Sequence, residues 1–213
     1  MKKINLFLIG FGILFPFVLT AQSINQKLGL FENSSDVGNV KHAGEAIYDS
    51  SSQQYELQGS GTNIWFDNDE FHYLWKKLKG DFILTAQVEF VGEGVVSHRK
   101  IGWMVRESLA TDASHVSAVV HGDGLTSLQY RQQAKAETEE KKMRTEAPDM
   151  IRLTREGNIY TMSVARLGET FVSEKVVNCT LPDDVYVGLF ISSHNADVSE
   201  KAIFKNVRIE IPF

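Results

Sequence analysis

The sequence predicts an all-β protein, a two-sheet antiparallel β-sandwich, and three observations support this fold class. Most apolar runs are short and alternate with polar residues, as in strands that bury one face. Glycine and asparagine turns separate these runs, and no strong amphipathic helical stretch is present. The length of 213 residues accommodates one large sandwich.

The predicted strands follow one another along most of the chain. The clearest is Asp81 to Val91, in which Phe82, Leu84 and Ala86 share one face. The other candidate strands are 55–58, 101–108, 150–155, 159–166, 185–192 and 202–211, together with the hairpin described next. A sandwich of about ten to fourteen strands fits this length, so residues 22–213 are predicted to form a single domain.

One hairpin has a predicted register. His115 to His121 and Leu125 to Arg131 flank a glycine-rich turn, and a three-residue loop pairs residue 121 with 125 and residue 117 with 129. One face of the hairpin is then polar and carries His115, Ser117, His121, Ser127, Gln129 and Arg131. A two-residue loop would mix polar and apolar faces. We therefore expect a sheet with one face on the core and one polar face directed outward.

The segment 135–146 (KAETEEKKMRTE) is a charge run with four acidic and four basic residues. Runs of balanced charge are usually solvated. This segment is therefore predicted to be a loop or a short helix.

Residues 1–21 form a separate segment. Lys2 and Lys3 precede an apolar run from Leu6 to Leu19, and Ala21 supplies a small residue after it. This order is typical of a secretory signal peptide, and the run is shorter than the ~20 residues of a membrane span. We expect cleavage after about residue 21, a secreted or periplasmic location, and no stable membrane insertion after cleavage.

Charge and cysteine content narrow the functional classes. The formal net charge of −5 gives no basic surplus for binding nucleic acid. The single cysteine, Cys179, cannot form an internal disulfide, and its apolar neighbours predict a buried, inert thiol. The fold is expected to depend on its core alone.

The most unusual stretch is 65–75 (WFDNDEFHYLW), in which aromatic rings surround acidic side chains. Rings together with carboxylates and amides are groups that bind sugars in a concave site. The same stretch contains three candidate ligands for a structural calcium ion, Asp67, Asp69 and Glu70. Their spacing does not fit a calcium hand loop, and no other cofactor is expected. Alternatively, the alternating rings are core residues of a strand, with the acids at a turn.

Catalytic candidates are few. Glu107 and Asp69 are the acids that a glycoside hydrolase would use, but the Glu-x-Asp-x-x-Glu strand pattern of sandwich glucanases is absent. No nucleophile elbow, His-Glu-x-x-His zinc motif or phosphate loop occurs. The six histidines are scattered, and three of them could converge only through the fold.

Seven segments between about residues 30 and 211 together resemble a known family. They are YELQGSGTNIW (55–65), DEFHYLWKKLKGDFILTAQVEF (69–90), GWMVRES (102–108), HGDGLTSLQYR (121–131), IRLTREGNIYTMSV (151–164), VYVGLFISSHNADV (185–198) and FKNVRIEI (204–211). This set is similar to the concanavalin A-like lectin/glucanase superfamily. More narrowly, it resembles the uncharacterised β-xylosidase-C-terminal-like domain of exported bacterial proteins, which is sometimes attached to TolB-like propellers or glycosidases. The resemblance implies a jelly roll with a concave polar face and glycan binding.

The resemblance, the hairpin register and the aromatic stretch 65–75 together define a predicted ligand-binding set. Its members are Arg106, Ser117, Gln129, Arg131, Trp65, Trp75, His194 and Asn195. The two arginines and the glutamine match the family's Met-x-Arg and Gln-x-Arg strand positions, and the last two residues match its Ser-His-Asn turn.

Three functions follow from these observations. A non-catalytic, lectin-like domain that binds a saccharide on its concave polar face is favoured, because catalytic signatures are missing. The first alternative is a glycoside hydrolase or lyase that uses Glu107 or Asp69 as its acid or base. The second is an exported protein with a structural or partner-binding role.

Overall fold

The computed structural model describes residues 28–212, so the predicted signal peptide lies outside the described residues. The described residues form fourteen strands, and these are β1 (Asn33–Val37), β2 (Glu45–Asp49), β3 (Gln54–Gly59), β4 (Phe71–Lys79), β5 (Phe82–Val91), β6 (Lys100–Arg106), β7 (His115–His121), β8 (Thr126–Arg131), β9 (Glu139–Lys142), β10 (Met150–Glu156), β11 (Ile159–Ala165), β12 (Val172–Val176), β13 (Asp184–Ser192) and β14 (Glu200–Glu210). Within residues 28–212, no helix has the length and apolar character needed to cross a membrane.

The strands form two antiparallel sheets of seven strands each. The front sheet has the order β1-β4-β13-β6-β7-β8-β9, and the back sheet has the order β12-β11-β10-β5-β14-β3-β2. Strands that are distant in sequence are neighbours in both sheets, as in β4-β13-β6. The predicted two-sheet sandwich is confirmed.

The main core lies between the sheets. Trp103 and Leu189 from the front sheet pack in one buried cluster with Leu84, Leu153 and Phe204 from the back sheet. The back sheet shows the predicted alternation, since buried and half-buried residues alternate along β3 and most of β10. The buried Cys179 belongs to this cluster, and burial raises the pKa of its thiol to about 11. The structure therefore supports the prediction of an inert, structural thiol.

The hairpin formed by β7 and β8 has the predicted register. Ser117 pairs with Gln129, and the backbone of His121 donates to the carbonyl of Leu125 over 2.8 Å. The prediction for the charge run was wrong in part, because Glu139–Lys142 is strand β9 and pairs with β8 at the edge of the front sheet. Pairing satisfies the backbone groups of β8, and charged side chains are compatible with an edge strand.

The outer face of the front sheet is covered, which the sequence did not indicate. Every residue of β6, β7 and β8 is buried. Residues 60–70, which connect β3 to β4 and are called the covering loop below, lie across this face. Ile64 of the covering loop packs in a second apolar cluster with Met104, Val119 and Phe190 of the sheet.

Candidate functional site

A buried ion cluster fixes the covering loop to the front sheet. The Asp69 carboxylate accepts hydrogen bonds from Arg106 (Nη1 to Oδ2, 2.9 Å) and from Arg131 (Nη1 to Oδ2, 2.9 Å; Nη2 to Oδ1, 2.8 Å). All three side chains are fully buried. Two guanidinium groups on one carboxylate leave a net positive charge beneath the loop, and further acceptors must satisfy it.

Backbone carbonyl groups accept the remaining hydrogen bonds of Arg131 and two further hydrogen bonds from Arg106. Arg131 also donates to the carbonyls of Ala113, Ala136 and Phe66, so each of its five N–H groups has an acceptor. Arg106 donates to the carbonyls of Ser108 and Ala110 as well. The predicted ligand-binding arginines therefore lie beneath the covering loop and hold it in place, where a bound molecule does not reach them.

The other predicted residues of the polar face are also buried. Gln129 lies between Ser127 (Nε2 to Oγ, 3.1 Å) and His121 (Nε2 to Nε2, 3.3 Å). The Ser117 hydroxyl lies 3.1 Å from Nδ1 of His115. Both side chains are therefore buried in contacts within β7 and β8.

The remaining predicted site residues lie apart from one another. Trp75 packs edge-on against Tyr186 at 4.9 Å, and its Nε1 donates to Ser35. Asn195 stabilises its own turn through a bond from the backbone of Asp197. Glu107 is exposed beyond the end of β6, where it accepts a hydrogen bond from Ser114.

The three candidate calcium ligands do not converge. The arginines occupy Asp69, Glu70 accepts hydrogen bonds from Thr62, and Asp67 is exposed. Within residues 28–212, these acids form no group with metal-binding geometry. The structure thus gives no observation in favour of calcium at this loop.

An open cleft remains beside the covering loop, with a volume of about 300 Å³. We call it the histidine cleft, and its walls are Asn63, Trp65, His98, Lys100, His121, Leu125, Glu140, Lys142 and His194. The covering loop forms one wall, and Lys100 and His121 pair across β6 and β7 beneath it. Strand β9 contributes two charged side chains. Of the residues predicted to bind ligand, the cleft includes Trp65 and His194.

A buried amine lies at the base of the histidine cleft. Lys100 is 3% exposed, its Nζ donates to Oδ1 of Asn63 over 2.7 Å, and it lies 5.7 Å from the centroid of the Trp65 ring. Burial lowers the pKa of Lys100 to about 8, although the negative charges of Asp69 and Glu140 act to raise it. The amine is therefore still mostly cationic at neutral pH.

Three histidines converge in the cleft. The ring of His98 lies 5.6 Å from that of His121 and 5.8 Å from that of His194, centroid to centroid. Burial, assisted by the charge of Lys100, lowers the pKa of His121 to about 3, and the same causes lower the pKa of His194. At neutral pH these two imidazoles are uncharged and can donate or accept hydrogen bonds.

Most of the cleft residues were not predicted as site residues. One signal could have found Lys100, because the i, i+2 spacing from Arg106 through Met104 and Gly102 places it on the same face of β6. The hairpin register did place His121 on the polar face. Asn63 and His98 lie in connections between strands, where periodicity gives no position.

Comparisons with known proteins identify the fold. No family model and no curated protein sequence match the chain. Among solved structures, a functionally unknown protein from Saccharomyces cerevisiae is similar, with 14% identity and a TM-score of 0.63 over 84% of this chain and 97% of that one. The PL-14 alginate lyase from Aplysia kurodai has 11% identity and a TM-score of 0.54 over 86% of this chain and 100% of that one.

A longer solved structure is also similar in fold. The GH43 protein BlXynB from Bacillus licheniformis has 10% identity and a TM-score of 0.55 over 84% of this chain, which spans 39% of that protein. At these identities the likenesses show the fold alone. The fold is an all-β jelly roll with two antiparallel sheets. The narrower resemblance to the β-xylosidase-C-terminal-like domain, and with it any link to propeller proteins, stays a prediction.

Proposed function

We propose that this chain is an exported, lectin-like domain that binds a saccharide in the histidine cleft without catalysis. The observation that carries the proposal is the arrangement of Trp65 and Asn63 on one wall of an open cleft, with the amine of Lys100 at its base. An aromatic ring packs against the apolar face of a sugar, and an amine and an amide form hydrogen bonds with its hydroxyl groups. The likeness in fold to an alginate lyase and a GH43 protein supports a carbohydrate ligand.

The charges of the cleft favour an acidic saccharide. Lys100 and Lys142 both line it, and Glu140 is the opposing carboxylate among its lining residues. A cationic amine that is already desolvated loses little further hydration when it pairs with a carboxylate. We therefore expect uronic-acid polysaccharides to bind more tightly than neutral ones.

Affinity electrophoresis in gels that contain alginate, polygalacturonate or a neutral glucan tests this proposal. We expect retardation by the acidic polymers, and at least tenfold weaker binding for Trp65→Ala, which is equivalent to about 1.4 kcal/mol for one lost aromatic contact. The matched control is Phe66→Ala, because Phe66 is the adjacent ring, is 60% exposed and does not line the cleft. Equal retardation of Trp65→Ala and the native chain would refute the site. No retardation on any polymer would favour the structural or partner-binding role.

A lyase is the enzymatic alternative that the geometry favours over a hydrolase. The cleft contains three imidazoles, which are candidate proton acceptors, and an amine that can pair with a uronate carboxylate. A two-carboxylate hydrolase fits less well, because Asp69 is held by two arginines and Glu107 does not line the cleft. Incubation with the same uronates distinguishes binding from elimination, since a lyase generates an ultraviolet-absorbing double bond and a lectin does not.

A further inference from the structure

A second set of ligand atoms lies at the edge of the histidine cleft. His98, His121 and Asp123 each offer one such atom, and these atoms all lie within 4.8 Å of one another. We propose that these three side chains bind one divalent transition-metal ion of the zinc class. This site goes beyond saccharide binding and does not depend on it.

The distance between the two imidazoles matches a shared metal ion. Nδ1 of His98 lies 3.4 Å from Nδ1 of His121, which is longer than a typical hydrogen bond. Two nitrogens that each lie about 2.0–2.1 Å from a tetrahedral zinc ion are separated by about 3.3–3.4 Å. The rings therefore already have the spacing of two ligands on one ion.

The backbone fixes the three ligands relative to one another. The amide of Gly122 donates to the carbonyl of Arg99, and the amide of Asp123 donates to the carbonyl of Ser97, each over 3.0 Å. These two bonds tie the segment that carries His98 to the turn that carries Asp123. The turn in addition orients the carboxylate, because Oδ1 of Asp123 accepts a bond from the amide of Leu125 over 3.0 Å.

Gln129 can orient the His121 ligand. If Nδ1 of His121 binds a metal, its proton resides on Nε2, which lies 3.3 Å from the side-chain amide of Gln129. Turning that amide presents its oxygen to the ring proton, as in the outer partners of metal-bound histidines. Gln129 would thus be a positioning residue for the metal site.

The donor types select the class of metal. Two imidazole nitrogens and one carboxylate form a common zinc ligand set, with one coordination position left open. Calcium prefers six to eight oxygen ligands, which this group does not supply. The positive charge of Lys100 lies near His121 and disfavours a bound cation. We therefore expect weaker binding than at a closed structural zinc site.

Isothermal titration of the tag-free chain with zinc chloride, in the absence of any saccharide, tests the proposal. We expect one ion per chain, and at least tenfold weaker binding for His98→Ala and for Asp123→Asn. His98 and Asp123 are both exposed, so neither change is expected to unfold the chain. Cobalt substitution should give the intense visible absorption of a four-coordinate site. The matched control is His42→Ala, which removes an exposed histidine outside the cleft.

Two results would overturn the metal site. One is the absence of zinc binding by the native chain, and the other is native affinity in the His98→Ala variant. Because no saccharide is present, either result leaves the polysaccharide measurements unaffected, and the failure of those measurements leaves this one unaffected.

Discussion

At the scale of single residues, the Asp69 carboxylate determines how the polar face of the front sheet is used. It is fully buried and accepts hydrogen bonds from both Arg106 and Arg131. Burial of an ionised group is costly without partners, so the carboxylate depends on the two arginines and each arginine depends on the carboxylate. In this cluster, residue types that commonly bind ligands instead hold a loop against the sheet.

Replacement of Asp69 by asparagine should therefore reduce stability strongly. Asp69→Asn keeps the side-chain shape but leaves two buried guanidinium groups without a counter-charge, and we expect a loss of about 3–5 kcal/mol in the free energy of unfolding. Urea denaturation followed by tryptophan fluorescence measures this loss. The control is Asp67→Asn on the same loop, which is exposed and should change stability by less than about 0.5 kcal/mol. A stability equal to that of the native chain would show that the cluster does not hold the loop.

At the scale of elements, the covering loop connects the apolar packing of the outer face to the cleft. Ile64 is 1% exposed in the second apolar cluster, while its neighbours Asn63 and Trp65 line the histidine cleft. The chain bends at Ile64 and Trp65, and the side chains on either side of Ile64 face the cleft. The buried side chain thus positions the two that face the cleft.

Truncation of Ile64 should weaken both the fold and the cleft. For Ile64→Ala we expect a loss of about 2–4 kcal/mol in the free energy of unfolding, because a buried apolar side chain leaves a cavity. We also expect weaker saccharide binding, although Ile64 does not line the cleft. Denaturation and affinity electrophoresis measure the two effects. Leu167→Ala removes a side chain that is 64% exposed and serves as the control. If Ile64→Ala is destabilised but binds saccharide as tightly as the native chain, Ile64 does not position the cleft residues.

Some of these elements were predictable from the sequence and others were not. Strand β5 and the hairpin of β7 and β8 were predictable, because their alternation and their turn are local features. Strands β1 (NSSDV), β9 (EEKK) and β12 (VSEKV) were not, since edge strands carry polar residues and form through pairing. The covering loop depends on contacts between residues that are far apart in sequence. For that reason the polar face was predictable, but its coverage was not.

At the scale of the whole molecule, the outer face of the front sheet concentrates buried positive charge. Arg106, Arg131 and Lys100 are each at most 3% exposed and lie at the ends of β6 and β8, the two strands that flank β7. His115 is fully buried among them, and burial, followed by the charges of these three residues, lowers its pKa well below 6.5. The folded chain therefore resists protonation of this imidazole.

Stability should consequently fall as the pH decreases below about 6.5. The unfolded chain takes up a proton on His115 in that range and the folded chain does not, so this residue contributes a loss of up to about 1.4 kcal/mol per pH unit. Urea denaturation at about pH 7 and about pH 5.5 measures the difference, before most carboxylates titrate. His115→Gln should reduce the dependence, and His42→Gln, an exposed change, should preserve it. An unchanged dependence in His115→Gln would contradict the assignment.

The Asp69 cluster also has a consequence for the order of folding. It joins Asp69 to residues 37 and 62 positions away in the sequence, on β6 and β8. The two guanidinium groups come together only when β6, β7 and β8 have paired, and long-range contacts form late because loop closure costs entropy. We therefore expect the covering loop to dock after the front sheet has assembled. The final step of folding would then also be the step that creates the cleft, so that only a completely folded chain presents it.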